Sequence, residues 1–209
     1  MKILLIGASG MIGSRILIEA TQRKHAVIAA ARNPEKIAAG AGVSIVGMDI
    51  ADETGLAELA ADSDVIISAL SPRNTGNAVE EAAAFTRSLI RVHEQIGKRI
   101  LMVGGGSSLQ MPDGTSALTL TPEAILAEAT AMREAYALLV AADIDFVVLA
   151  PGGMIEPGER TGHFRLGDRT MLVDEQGNKS RISAEDYAIA MLNEVEEPRH
   201  FRTLFNVAY

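Results

Sequence analysis

The residues with the clearest chemical potential lie at the start of the chain. Gly7-Ala8-Ser9-Gly10-Met11-Ile12-Gly13 carries three glycines between an apolar run, Lys2–Ile6, and an amphipathic stretch that begins at Met11. Glycines in a strand-to-helix turn let the backbone come close to a pyrophosphate. The helix that follows presents free N–H groups and a partial positive charge of about half a unit. With a strand before it and a helix after it, the segment reads as a nucleotide-phosphate cradle rather than an ordinary glycine-rich turn.

A second candidate follows from its distance to the first. Ala29-Ala30-Ala31-Arg32-Asn33-Pro34 closes the next apolar run about 20 residues beyond Gly13, where an acid would hydrogen-bond a ribose 2′-hydroxyl. No acid is present. Arg32 suits a 2′-phosphate instead. Ser68-Ala69-Leu70-Ser71-Pro72 ends the fourth run, and Ala69 and Leu70 are expected to pass the cofactor's ribose and pyrophosphate through their backbone.

The GxxGxxG spacing resembles the extended and atypical branches of the short-chain dehydrogenase/reductase superfamily. That resemblance implies a Rossmann fold, a nicotinamide dinucleotide, and an adenine contact from Asp49 with Ile50 supplying backbone; with Arg32 in place of an acid, NADP(H) is the preferred cofactor and NAD(H) stays open. It also implies a carbonyl-polarising Ser near Val103-Gly104-Gly105-Gly106-Ser107-Ser108, for which Ser107 and Ser108 are the candidates, and a proton-donating YxxxK pair. The pair is missing, since Tyr136 is followed four residues later by Val140. An acceptor that needs little proton help, such as a flavin or quinone, fits this absence because its reduced anion is delocalised and takes a proton from water.

The later half narrows the resemblance. Pro157-Gly158-Glu159-Arg160-Thr161-Gly162 and Ile182-Ser183-Ala184-Glu185-Asp186-Tyr187-Ala188 are similar to segments of the NAD(P)H-binding atypical short-chain dehydrogenases described as NADH-flavin reductases, relatives of biliverdin reductase B and of NmrA-like proteins. Arg160, His163 and Phe164 are then expected in a lid that touches the acceptor.

Short apolar runs alternating with amphipathic stretches position these residues, a pattern that predicts an α/β fold, a doubly wound parallel sheet with helices on both faces. Seven strands are expected at Lys2–Ile6, Ala26–Ala31, Ser44–Gly47, Val65–Ser68, Arg99–Val103, Asp145–Leu149 and Leu204–Ala208. Helices are expected at Met11–Arg23, Pro34–Ala39, Gly55–Ala60, Ala78–Ile96, Pro122–Ala142 and Ala184–Val195. Thr121-Pro122-Glu123 reads as an N-cap followed by Pro at the first helical position, and Ser183 to Asp186 as a capping box. Residues 1–209 are expected to form one domain, with substrate-side loops at 104–121 and 151–178.

Composition sets the outer bounds. No Cys is present, which excludes disulfides and thiol chemistry, and no His or carboxylate cluster has metal-ligand spacing. A net charge of −8 without a basic block argues against a nucleic-acid partner. The longest apolar stretch, Tyr136 to Ile155, is interrupted by Asp143, Asp145 and Pro151-Gly152-Gly153, so no membrane span is expected. Arg15 and Glu19 stand where an export signal would need its cleavage region, and a cytoplasmic location is the expectation. Three functions stay open: an NAD(P)H-dependent reductase of a small planar molecule, a non-catalytic NADP(H)-binding sensor, and an epimerase or dehydratase. Oligomeric state is not assigned.

Overall fold

The computed structural model describes residues 1–73 and 76–209. In chain order its elements are β1 (Lys2–Ile6), α1 (Met11–Gln22), β2 (Ala26–Ala31), β3 (Val43–Gly47), α2 (Glu53–Ala61), β4 (Val65–Ser68), α3 (Ala78–Ile96) and β5 (Ile100–Val103). They continue with α4 (Glu123–Ala141), β6 (Phe146–Pro151), β7 (Gly153–Glu156), β8 (Arg165–Gly167), β9 (Ser180–Ser183), α5 (Ala184–Glu196) and β10 (Thr203–Ala208).

Successive side chains of a strand point to opposite faces, and both faces of this sheet are covered. Leu4 and Ile6 enter one apolar layer with Leu56 of α2, Leu89 of α3 and Leu139 of α4. Ile3 and Leu5 enter the other with Ile16 of α1 and Leu192 of α5.

The main sheet has eight strands in the order β3-β2-β1-β4-β5-β6-β10-β8, all parallel except β8, which runs antiparallel to β10. From β1 the chain winds one way through β2 to β3, then returns to place β4 on the other side of β1. The carboxyl ends of β1 and β4 therefore diverge into the crevice where open α/β sheets hold their ligands.

Several local expectations change. The sheet gains β8 from the second long connection, and β7 pairs with β9 in a separate parallel two-stranded ribbon. Pro34–Ala39 forms only a 3-10 turn over Pro34–Lys36, because so short a segment ahead of Gly40 and Gly42 cannot offset helix nucleation. Thr121 does not cap α4; its hydroxyl donates to the Ala117 carbonyl at 3.2 Å, and Pro122 takes the N-cap position. Ser183 does cap α5, accepting from the Asp186 N–H at 3.0 Å, but Asp186 does not reach back to complete the box.

The two long connections bind each other. Gln110 N–H donates to the Arg169 carbonyl at 3.0 Å and Met171 N–H to the Gln110 carbonyl at 2.7 Å. Asn206, fully buried on β10, holds the same turn by accepting from Leu172 N–H and donating to the Asp168 and Thr170 carbonyls. Among the described residues, no helix is long and apolar enough to cross a membrane, and no group of His, Cys, Asp and Glu could hold a metal ion.

Candidate functional site

The glycine turn is shaped by contacts that leave no room for a side chain. Gly7 has φ +83°, and a Cβ there would lie 2.7 Å from the Ala69 carbonyl oxygen. A Cβ on Gly13 would lie 2.1 Å from the Gly7 carbonyl oxygen, so this residue lets α1 pack against the turn. Gly10 is the N-cap of α1 without a side-chain cap, and no acid stands in the first turn. The unpaired N–H groups of the helix end consequently face outward beside bare backbone, a surface that fits a pyrophosphate.

Neighbouring strand ends complete this surface. Gly7 and Ala8 N–H both donate to the Ala30 carbonyl, at 2.9 and 3.2 Å, which sets Arg32 two residues beyond the contact. Arg32 is exposed and makes no hydrogen bond or ion pair among the described residues. Asp49 is exposed too, one of its oxygens accepting from Ala51 N–H at 3.0 Å, while Asp52 caps α2 through Gly55 N–H. Ile50 packs partly against the α2–α4 layer. Ala69 N–H donates to the Ile6 carbonyl at 2.8 Å, fastening the end of β4 to the end of β1.

From this crevice opens a cleft of about 1300 Å³. Its near wall includes Gly10, Met11, Ile12, Ala69 and Leu70, and Gly104 to Ser107 lie along its floor. The volume exceeds the roughly 300–1,000 Å³ of an ordinary small-molecule pocket, leaving room for a second molecule beside part of a dinucleotide. Arg32, Asp49 and Ile50 lie outside the cleft.

The two serines differ. Ser107 lines the cleft, but its hydroxyl donates to the Ala129 carbonyl at 2.9 Å, so it can only accept from a ligand. Ser108 Oγ is buried without a partner, and Ser108 is not part of the cleft lining. Arg73 stands at the rim in a double hydrogen bond to Glu128, 2.9 and 3.1 Å.

Arg160, His163 and Phe164 are not brought to the cleft. Arg160 binds Glu19 on α1, His163 is exposed, and Phe164 packs against the α1/α5 layer. Asp186 draws this segment away from the crevice by accepting from the N–H groups of Thr161 and Gly162, both at 2.8 Å. The expected lid is instead a strap over the α1/α5 face.

In its place the cleft holds residues that the motifs did not indicate. Lys179 and Arg181 flank Ser180 at the start of β9, Met171 comes from the buttressed turn, and the C-terminal Tyr209 forms part of the wall. The Tyr209 hydroxyl donates to the Asp186 carboxylate at 2.9 Å. Charged Lys179 and Arg181 alternating with uncharged Ser180 and Ile182 could have indicated a strand, but nothing local indicates that it borders the cleft. The other tyrosines offer no acid: Tyr136 packs edge-on against Phe146, and Tyr187 is buried with its hydroxyl on the Leu149 carbonyl at 2.6 Å. Burial pushes the Tyr187 phenol far above its ordinary range.

Comparison with known proteins gives the same picture. Residues 7–198 match the family described as NAD(P)H-binding. The uncharacterized protein YwnB of Bacillus subtilis is 35% identical over 99% of this chain and 98% of its own length. A candidate epimerase from Bacteroides thetaiotaomicron superposes with a TM-score of 0.91 at 37% identity, covering 100% of this chain and 96% of that one. A candidate NADH-flavin reductase from Streptococcus pneumoniae superposes with a TM-score of 0.86 at 28% identity, covering 100% and 99%.

Proposed function

Because this chain belongs to the NAD(P)H-binding family, we propose that it is a reductase that passes hydride from NADPH to a small planar acceptor, a flavin or a quinone. The observation that carries this reading is the size and character of the cleft: it is continuous with the bare end of α1, wide enough for two ligands, and walled mainly by apolar groups. The name of the Streptococcus pneumoniae protein supports the same acceptor class.

Gly7 to Gly13 and the α1 N-terminus would hold the pyrophosphate, Arg32 the 2′-phosphate and Asp49 with Ile50 the adenine. Ala69 and Leu70 would follow the ribose. When bound, the nicotinamide supplies the hydride. Ser107, its own proton committed to Ala129, would be left to accept a hydrogen bond from a donor of the ligand beside it. The protein's contribution is proximity and orientation, together with apolar walls such as Met132 and Met171 that exclude water from the contact. Tyr136 and Tyr187 lie outside the cleft, and the Tyr209 hydroxyl in its wall is committed to Ser183 and Asp186, so the reduced acceptor would take its proton from water.

Absence of Trp leaves little protein background against NADPH fluorescence. Titration should show NADPH binding, and a panel of FMN, FAD and quinones should show NADPH oxidation by at least one acceptor. Tight NADPH binding with no turnover on any acceptor would replace this reading with that of a non-catalytic NADP(H) sensor.

A further inference from the structure

Resting on the reductase reading, we propose that the acceptor carries an anionic substituent, a phosphate, carboxylate or sulfonate, which Lys179 and Arg181 hold on the far wall of the cleft. Lys179 and Arg181 are two residues apart at the start of β9, so an extended backbone points both to one side while Ser180 between them is buried. Both line the cleft. Ribbon β7–β9 follows β6, which lies three strands from β1 across the sheet, a separation of about 14 Å at the usual strand spacing. These cations stand at β9, a different element from the glycine turn and the start of α1.

Their hydrogen-bonding capacity is largely unspent. Lys179 is half-buried and its ammonium donates to one partner, the Leu120 carbonyl at 2.9 Å. That burial lowers its pKa below the ordinary lysine value, a penalty that an anion beside it would offset. The Arg181 guanidinium makes no hydrogen bond or ion pair among the described residues. Arg165 adds a third positive charge, although its guanidinium is held by the Val173 and Tyr209 carbonyls.

The nearby carboxylates offset this wall only in part, Glu128, Asp174 and Glu175 standing against Arg73, Arg165, Lys179 and Arg181 in the lining. Glu128 is engaged by Arg73, and Asp174 accepts from the N–H groups of Gln176 and Asn178 in its own turn. Glu175 is the exposed remainder. In a chain of net charge −8, a cleft wall with this excess of cations selects for negative charge. Leu120, Ile125 and Met154 expose apolar side chains beside it, so the matching ligand has a flat apolar body and one charged arm.

Riboflavin and FMN share one ring system and differ by a phosphate, which makes them the discriminating pair. Fluorescence titration of the NADP⁺-loaded protein is expected to show FMN binding about 10-fold or more tighter than riboflavin. Arg181→Ala and Lys179→Met should each bring that ratio toward one. Equal affinities in the wild-type protein, or binding of neither flavin, overturn the proposal. So does an unchanged ratio in both variants accompanied by weaker NADPH binding, which would assign the cations to the cofactor. Selective FMN binding without NADPH oxidation by FMN, FAD or any quinone of the panel overturns the reductase reading and leaves the anion site standing; oxidation of NADPH by both flavins with equal affinities does the reverse.

Discussion

Arg160 grips the buried carboxylate of Glu19 from across the α1/α5 face, its Nε and a terminal nitrogen at 2.8 and 3.0 Å from the two oxygens. Glu19 also receives Arg23 from one turn further along α1. Together with Asp186 on Thr161 and Gly162, and Glu185 on Gly158 N–H, this pair anchors the strap behind the site. Arg160 is thus committed to Glu19 and lies outside the cleft lining.

Arg160→Ala should destabilise the protein by about 1–2 kcal/mol, less than a fully buried pair because Arg160 is half-exposed. The Arg160 hydrogen bond is the largest cause holding the Glu19 carboxyl below its ordinary value of 4.5, outweighing the opposing effect of burial. A depressed folded-state pKa contributes stability that is complete above the unfolded value and lost as pH falls through the folded one. Urea denaturation at pH 7 and pH 4 should therefore show a smaller loss on acidification in Arg160→Ala than in the wild type, with acceptor KM unmoved at pH 7.

The three motif glycines should not be equivalent. Gly13→Ala drives a Cβ into the Gly7 carbonyl and is expected to cost about 3 kcal/mol, whereas Gly10→Ala meets only the Gly7 oxygen at 3.3 Å and should cost under about 1 kcal/mol. Urea midpoints measured side by side would decide. Comparable losses would mean that α1 does not sit on the turn as described.

For Arg32→Ala, NADPH affinity should fall about 10- to 100-fold while NADH affinity changes little. Among the described residues Arg32 has no structural partner whose loss would confuse the result. Fluorescence titration with both cofactors measures the two losses. Equal losses would show that Arg32 does not read the 2′-phosphate.

Tyr187→Phe removes a buried hydroxyl from the Leu149 carbonyl and should lower stability by about 1–2 kcal/mol. Catalysis should be indifferent to it, because this phenol is sealed in the core with its pKa pushed upward. The comparison is an unchanged pH–rate profile beside a lowered thermal midpoint. A lost limb in the profile would make Tyr187 a proton donor after all.

The parts legible in advance were those governed by neighbours in the chain. Alternation at Ile3, Leu4, Leu5 and Ile6 specifies a strand covered on both faces, and the glycines after it specify a turn that only residues without Cβ can make. Asp52 and Ser183 cap helices through N–H groups three residues away, again a local relation. Even there a longer reach can win: Asp186 leaves the capping box unfinished because Thr161, Gly162 and Tyr209 offer its carboxylate more hydrogen bonds.

By itself, then, the sequence determined the alternating elements, the glycine turn at the start of α1 and the lack of a YxxxK motif, since each depends on residue type at short spacing. Only the tertiary structure decided which loop faces the ligand. Arg160 and Phe164 belong to the strap because Glu19 and Asp186, distant along the chain, present buried carboxylates that must be paired. Lys179, Arg181 and Tyr209 reach the cleft because β7–β9 pairing and the main sheet carry the C-terminal end of the chain to its wall, a placement set by long-range hydrogen bonds that no local spacing records.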